Sequence, residues 1–204
     1  SYGSEDELYI NGHVTGNSPY LTFEWKAGKD GEHHEVKTQL IGEYNFANAL
    51  AAVTIGHFFD VESGKIDTAL KEYTPQNNRS QLKQTADNTL IIDAYNANPT
   101  SMQASISNFH NMEIDNKMLI LGDMRELGKD GPEEHQKIVD FLTECGFKDV
   151  MLVGEQFAAA RHDFPTYPDA PAVIEAIQKN KPHGKTILIK GSNGIKLSTV
   201  IDYL

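Results

Sequence analysis

Residues 89–102 constrain the fold more than any other stretch of the chain. Thr89-Leu90-Ile91-Ile92 is an apolar run rich in β-branched residues, the pattern of a strand covered on both faces. The stretch closes on Asn98-Pro99, a capping residue followed by proline at the first helical position. Met102, Ile106 and Phe109 then recur at helical spacing. A strand covered on both faces that leads directly into a helix fits a sheet with helices on its faces. Asp93, Tyr95, Asn96 and Asn98 lie at the turn between the two. In open α/β sheets this is the edge where ligands bind, because helix N-termini offer free N–H groups there. The competing reading is that the asparagines only shape the turn.

The rest of the C-terminal part repeats the pattern. Strand cores are expected at 118–121, 150–153 and 186–189, with a weaker one near 164–167. Helical periodicity is expected at 132–145, 156–161, 170–179 and 196–203. Residues 80–86 and 89–94 flank the turn Asp87-Asn88 and should pair antiparallel. The fold class is therefore α/β, a Rossmann-like, mostly parallel sheet with flanking helices. Three strands should end in polar loops on one edge: Asp93 to Asn96, Gly122 to Gly128 and Lys190 to Gly194. Lys190 would supply a cation there. Asp123 could accept a cation, a substrate ammonium group or Arg125, and Glu126 reads as a solvated partner of Arg125.

The N-terminal part differs. Residues 1–19 are polar and turn-rich, with short strand-like pieces. Leu21, Phe23 and Trp25, then His34, Val36, Thr38 and Leu40, alternate as the two arms of a hairpin. Adjacent strand residues face opposite ways, so His33-His34 reads as a solvated pair rather than a metal site. Asn45 is placed to cap a helix carried by Phe46, Leu50 and Val53, with Asn48 on its first turn. A second helix over 63–72 ends before Pro75 and the amides Gln76-Asn77-Asn78, where the domain boundary is expected. A hairpin and two helices do not complete an α/β domain, so residues 1–77 read as the tail of something larger, and 78–204 as a domain.

Composition excludes several classes. A formal charge of −11 argues against a nucleic-acid binder. No apolar run reaches the length of a membrane span. The acidic N-terminus, with Glu5, Asp6 and Glu7, is unlike a secretory signal. One cysteine, Cys145, precludes an internal disulfide and fits a reducing compartment. It shares a helical face with Ile138 and Leu142, as does His135, and both read as packed residues. No phosphate loop of the form G-x-x-x-x-G-K-[S/T] occurs. Gly184-Lys185-Thr186 imitates its end, but Lys179 stands where the first glycine is required and a strand follows. There is no G-x-G-x-x-G, no zinc-type cluster and no nucleophile elbow.

Taken together, five motifs carry a family resemblance. They are Gly42-x-Tyr44-Asn45-x-x-Asn48-x-Leu50-Ala51-Ala52, Asn78-Arg79-Ser80, Asp93-x-Tyr95-Asn96-Ala97-Asn98-Pro99-x-Ser101-Met102, Leu121-Gly122-Asp123-Met124-x-Glu126-Leu127-Gly128 and Lys190-Gly191-Ser192. In this order the chain resembles the C-terminal part of a Mur ligase, the bacterial cytoplasmic enzymes that build the peptidoglycan stem peptide. The resemblance covers the chain beyond residue 40. It implies that residues 1–77 are the end of the central ATP-binding domain and 78–204 the C-terminal Rossmann-like domain. It also implies ATP-dependent amide formation, with D-alanyl-D-alanine added to UDP-N-acetylmuramoyl-tripeptide, by a cytoplasmic monomer using ATP and Mg. Asn45 and Asn48 would face adenine, and Arg79 and Asp93 would reach phosphate and ribose. Tyr95, Asn96, Asn98, Ser101, Asp123 and Lys190 would hold the incoming dipeptide. The family's phosphate loop, metal-binding glutamate and carbamylated lysine would lie upstream of Ser1, so the chain alone would be inactive, with no catalytic residue of its own. Tyr44 stands where the family usually has histidine. The alternatives are a stand-alone nucleotide- or ligand-binding α/β module without catalysis and a response-regulator-like interaction domain.

Overall fold

The computed structural model describes residues 1–204 except Asp6, Glu7 and Asn77. Its contacts divide the chain into two units, Ser1–Pro75 and Gln76–Leu204. The boundary expected at Gln76-Asn77-Asn78 falls partly on Asn77, which lies outside the described residues.

The first unit is a four-stranded sheet in the order β1-β2-β3-β4 with two helices. The strands are β1 (Tyr2–Gly3), β2 (Ile10–Asn17), β3 (Tyr20–Ala27) and β4 (His34–Ile41), followed by α1 (Phe46–Phe58) and α2 (Ser63–Glu72). β2-β3-β4 is an antiparallel meander and β1 adds a short parallel edge. Alternation on β3 and β4 works as the sequence implies. Leu21, Phe23, Trp25 and Val36 are buried against Ala49, Leu50 and Val53 of α1.

Three expectations for this unit are corrected. Residues 10–17 are not turn-rich but form a full strand. Their glycines hide it in sequence, yet Gly12 is needed there, since a Cβ would lie 2.7 Å from the Glu24 carbonyl oxygen. Second, His34 is not solvated. Its ring stacks on Trp25 at 4.4 Å between centroids. Its Nδ1 donates to Asp67 Oδ2 at 2.8 Å, and the Trp25 indole N–H donates to Asp67 Oδ1, also at 2.8 Å. A carboxylate from α2 thus enters the core because two donors meet it. Third, Asn45 occupies the N-cap position of α1 without capping it. A 3₁₀ turn over Glu43–Asn45 leads into the helix, so Asn45 already has helical backbone angles (φ −82°, ψ −8°) and its amide turns back to donate to the Ile41 carbonyl at 2.8 Å.

The second unit is a six-stranded sheet in the order β5-β6-β10-β7-β8-β9. Its strands are β5 (Gln81–Gln84), β6 (Thr89–Asp93), β7 (Lys117–Gly122), β8 (Val150–Val153), β9 (Thr166–Tyr167) and β10 (Thr186–Lys190). Only β5 runs antiparallel, paired with β6; the other neighbours are parallel. The helices are α3 (Pro99–Asn111), α4 (Gly131–Glu144), α5 (Glu155–Ala159) and α6 (Ala170–Lys179). One sheet face, with Leu90, Ile92, Ile120, Val153 and Ile189, packs on Val173 and Ile177 of α6 and on Leu197, Val200 and Ile201. Residues of opposite parity, such as Ile91, Leu119, Leu152 and Leu188, are equally buried. The core is therefore doubly covered, as parallel sheets require.

The expected helix over 196–203 is instead a 3₁₀ run, Leu197–Tyr203, entered through Lys196 in the left-handed region at φ 60°. Cys145 is the C-cap of α4 and only half-buried rather than core. Burial and the neighbouring Glu144 push its thiol pKa up, away from the reactive thiolate. His135 is fully buried, as its apolar face demands. No helix among the described residues is long and apolar enough to cross a membrane.

Candidate functional site at the carboxyl edge of the parallel sheet

Register brings the three polar loops together. Lys190 is opposite Asp93 on one side and Leu121 on the other, so β6, β10 and β7 end level. Lys190 Nζ lies 2.6 Å from Asp93 Oδ2 and 3.4 Å from the Asn96 carbonyl oxygen. The lysine side chain is 1% exposed and the aspartate side chain 15%. A lysine ammonium this deep is costly without a counter-charge, and Asp93 provides one.

Arg79 and Tyr95 form a second pair beside it. The guanidinium carbon lies 3.9 Å from the centre of the Tyr95 ring, within cation–π range. Both residues are exposed, and Arg79 makes no ion pair among the described residues. Its neighbours Asn78 (φ 58°) and Ser80 (φ 47°) are both left-handed, conformations that cost energy for residues other than glycine and that cluster at ligand sites. The Asn78 carbonyl accepts from Ala94 N–H at 2.9 Å, which ties this strained turn to the end of β6. The edge therefore presents one neutralised charge pair and one outward guanidinium, suited to a phosphate or carboxylate.

Other expected site residues serve the scaffold. Asn98 Oδ1 accepts from Ser101 N–H at 2.8 Å, and Ser101 Oγ accepts from Asn98 N–H at 3.2 Å. This reciprocal capping box starts α3. Asn96 Oδ1 accepts from Ala97 N–H at 2.9 Å. The turn-shaping reading thus holds for these side chains in this structure, while Asn96 and Asn98 remain exposed. Asn98→Ala is expected to lower the stability of this unit by about 1 kcal/mol, read from the urea midpoint; an unchanged midpoint would remove the cap from the account.

Asp123 is likewise turned inward. It is 5% exposed, and its two oxygens accept from Gln156 N–H and Phe157 N–H, each at 3.0 Å. The carboxylate therefore holds the first turn of α5. His135 braces the same loop. Met124 N–H donates to its Nε2 at 3.0 Å while Nδ1 faces the Gly131 carbonyl at 2.7 Å, which places the ring proton on Nδ1. Ser192 Oγ accepts from Arg125 N–H at 3.0 Å. A cleft of about 480 Å³ opens here, lined by Asp123, Arg125, Gly128, Gly154, Gln156 and Ile195 among others. Gly154, Gln156 and Phe157 escape sequence reasoning, since their partner lies more than thirty positions away. Ser192 is legible only as part of Lys190-Gly191-Ser192. Asn45 and Asn48 belong to the first unit, where Asn48 Nδ2 lies 3.5 Å from Asn45 Oδ1.

This doubly covered parallel sheet has known counterparts. Residues 78–193 match the family model described as "Mur ligase, glutamate ligase domain", and the chain belongs to the Mur ligase family. It is 27% identical over 219 residues to the UDP-N-acetylmuramoyl-tripeptide–D-alanyl-D-alanine ligase of Bacillus subtilis (strain 168), an alignment that takes in 98% of this chain and 47% of that protein. Among solved structures it is similar to MurF from Acinetobacter baumannii, with 25% identity, a TM-score of 0.79, and 95% of this chain against 44% of that one. It shares its fold with MurF from Thermotoga maritima, solved in complex with ADP, at 16% identity and a TM-score of 0.80 over 99% of this chain and 47% of that one. The chain thus spans about half the length of the relatives it matches.

Proposed function

We propose that the chain is the C-terminal part of an ATP-dependent amide-forming ligase that joins D-alanyl-D-alanine to UDP-N-acetylmuramoyl-tripeptide in the cytoplasm. On this reading residues 1–77 close the central ATP-binding domain and residues 78–204 form the C-terminal domain. The observation that carries it is the edge cluster of Arg79, Tyr95, Asp93 and Lys190 in a chain of the Mur ligase family. ATP, when bound, would supply the phosphoryl group that activates the tripeptide carboxylate, with ADP as the leaving group. This chain's groups position the reactants around it. Arg79 meets phosphate, Asp93 meets ribose, and Asn45 and Asn48 meet adenine. Tyr95 and Asn96 contact the dipeptide. Asn98, Ser101 and Asp123 set the loops that do so, and Lys190 holds the Asp93 carboxylate in place. This is catalysis by positioning and charge stabilisation.

No three His, Cys, Asp or Glu side chains among the described residues converge on one point, and no magnesium ligand is assigned within this chain.

The test compares the chain with the longer protein that includes it. With magnesium, ATP, UDP-muramoyl-tripeptide and D-alanyl-D-alanine, the longer protein should release ADP and form the pentapeptide, and Arg79→Ala should slow it on the order of a hundredfold. The 204-residue chain alone should release no ADP above background. Its sequence has no phosphate-loop motif, whose backbone N–H groups and lysine would hold the phosphates. Turnover by the chain alone, abolished by a substitution within it, would mean a complete enzyme. A longer protein that binds nucleotide without ligating would favour the stand-alone binding module.

A further inference from the structure

The sequence holds two Asn-Gly pairs, Asn11-Gly12 and Asn193-Gly194. Such a pair is a labile context for a side-chain amide. No Cβ on the following residue hinders its nitrogen, and the glycine backbone rotates freely. The fold treats the two pairs oppositely. Asn11 is 6% exposed in β2, opposite Gly3 of β1 on one side and Lys26 of β3 on the other. Paired on both sides, the main chain there cannot turn its next nitrogen onto the side-chain amide. Asn193 and Gly194 are both exposed. They lie in a single 3₁₀ turn, Asn193–Ile195, just past the carboxyl end of β10. Ile195 N–H donates to the Ser192 carbonyl at 2.9 Å and Lys196 N–H to the Asn193 carbonyl at 3.0 Å, while Gly194 N–H meets no backbone acceptor among the described residues. Short 3₁₀ turns have poor hydrogen-bond geometry, and exposed ones open readily. The Gly194 nitrogen is therefore free to act as a nucleophile.

We propose that Asn193 is a site of spontaneous deamidation, and that its conversion to isoaspartate releases Arg125 from its seat in the cleft. The Gly194 nitrogen attacks Asn193 Cγ, the bond from Cγ to the side-chain nitrogen breaks, and that nitrogen leaves as ammonia with the proton of the attacking N–H. Water then opens the succinimide ring. Opening at the main-chain carbonyl gives isoaspartate, with the chain now running through the former side chain and the old carbonyl freed as a carboxylate. Opening at the other carbonyl gives aspartate. The consequence follows from what flanks Asn193. On one side Ser192 Oγ accepts from Arg125 N–H at 3.0 Å. On the other, Gly194 lies under the Arg125 side chain, so that a Cβ there would be 2.6 Å from Nη1 and 3.1 Å from Cδ. Ile195 is buried and anchors the chain in the core. Isoaspartate adds one carbon to the main chain between the Ser192 and Gly194 contacts, which breaks their register. It also places a carboxylate one residue from a guanidinium that makes no ion pair among the described residues, and such a pair forms charge-assisted hydrogen bonds. Arg125 is then drawn to the loop and away from the cleft. The inference does not depend on the ligase reading.

The test ages the folded chain at physiological temperature and mildly alkaline pH, with peptide mapping and enzymatic methylation of isoaspartate as readouts. Asn193 should convert on the order of tenfold faster than Asn11, whose reaction needs the sheet to open. In urea the two should convert alike. Asn193→Gln, which does not close the succinimide ring, should leave that position intact. The Arg125 Nε–H resonance should shift in the aged chain, and shift less in Asn193→Asp, which adds the charge without the extra carbon. A folded chain in which Asn11 reacts as fast as Asn193 would overturn the assignment. So would a folded chain in which neither reacts while the urea-unfolded chain does. An Arg125 resonance identical before and after conversion would overturn the link to the cleft.

Discussion

Lys190→Met should destabilise residues 76–204 by about 3–5 kcal/mol, the cost of breaking a buried ion pair from one side. The lysine is 1% exposed and its ammonium sits 2.6 Å from the Asp93 carboxylate. Methionine fills the stem's volume but leaves Asp93 with 15% exposure and no cation. That carboxylate must then stay charged in a poor solvent or take up a proton, and either outcome costs folding free energy. The double variant Lys190→Met/Asp93→Leu should recover most of the loss, because no charge is then stranded. Far-UV circular dichroism in urea would follow both units. Trp25 fluorescence offers an internal control, since the only tryptophan lies in the first unit and its midpoint should stay put. An unshifted second transition in Lys190→Met would show that the pair contributes nothing. A double variant as unstable as the single would show that the lysine stem, not its charge, matters.

The same pair marks the limit of what sequence can reveal. The strand character of 89–93 and 186–190 is legible because continuous β-branched runs have few other uses. The N-cap at Asn98 is legible because Asn-Pro before a helical period leaves little choice. That β10 inserts between β6 and β7 is not legible, since adjacency is set by the packing of helices far away in sequence. Without adjacency, Asp93 and Lys190 are two polar residues separated by about half the chain. The errors have local causes. Glycines at 12 and 16 break the look of a strand at 10–17, while the close approach of Glu24 to Gly12 requires one of them. His34 looks solvated because nothing nearby shows that α2 delivers Asp67 to it. Asn45 looks like a cap because the preceding 3₁₀ turn has no sequence signature. Asp123 looks like an open ligand because the amides it accepts from belong to α5.

Gly154→Ala should be strongly destabilising. Gly154 has φ 121°, a region that other residues rarely adopt. A Cβ there would lie 2.2 Å from Asp123 Oδ2 and 2.3 Å from its Cγ, well inside contact distance. The carboxylate cannot retreat freely, because Gln156 N–H and Phe157 N–H hold its oxygens at 3.0 Å. The methyl group therefore adds backbone strain and also pushes the acceptor from the first turn of α5, where each lost charge-assisted bond costs about 1.5–3 kcal/mol. A loss of about 4 kcal/mol is expected from the two effects together. Asp123→Ala removes the acceptor without the strain and should cost about 2–3 kcal/mol. Asp123→Asn should cost less, since one amide oxygen still accepts. The double variant discriminates between mechanisms. If the clash with the carboxylate dominates, Gly154→Ala in the Asp123→Ala background should cost about 1–2 kcal/mol less than in the parent, as contacting residues couple by that much. If strain at φ 121° dominates, the two losses add. Full additivity would therefore reject the steric account of Gly154 and leave backbone conformation as the reason a glycine stands at the mouth of this cleft.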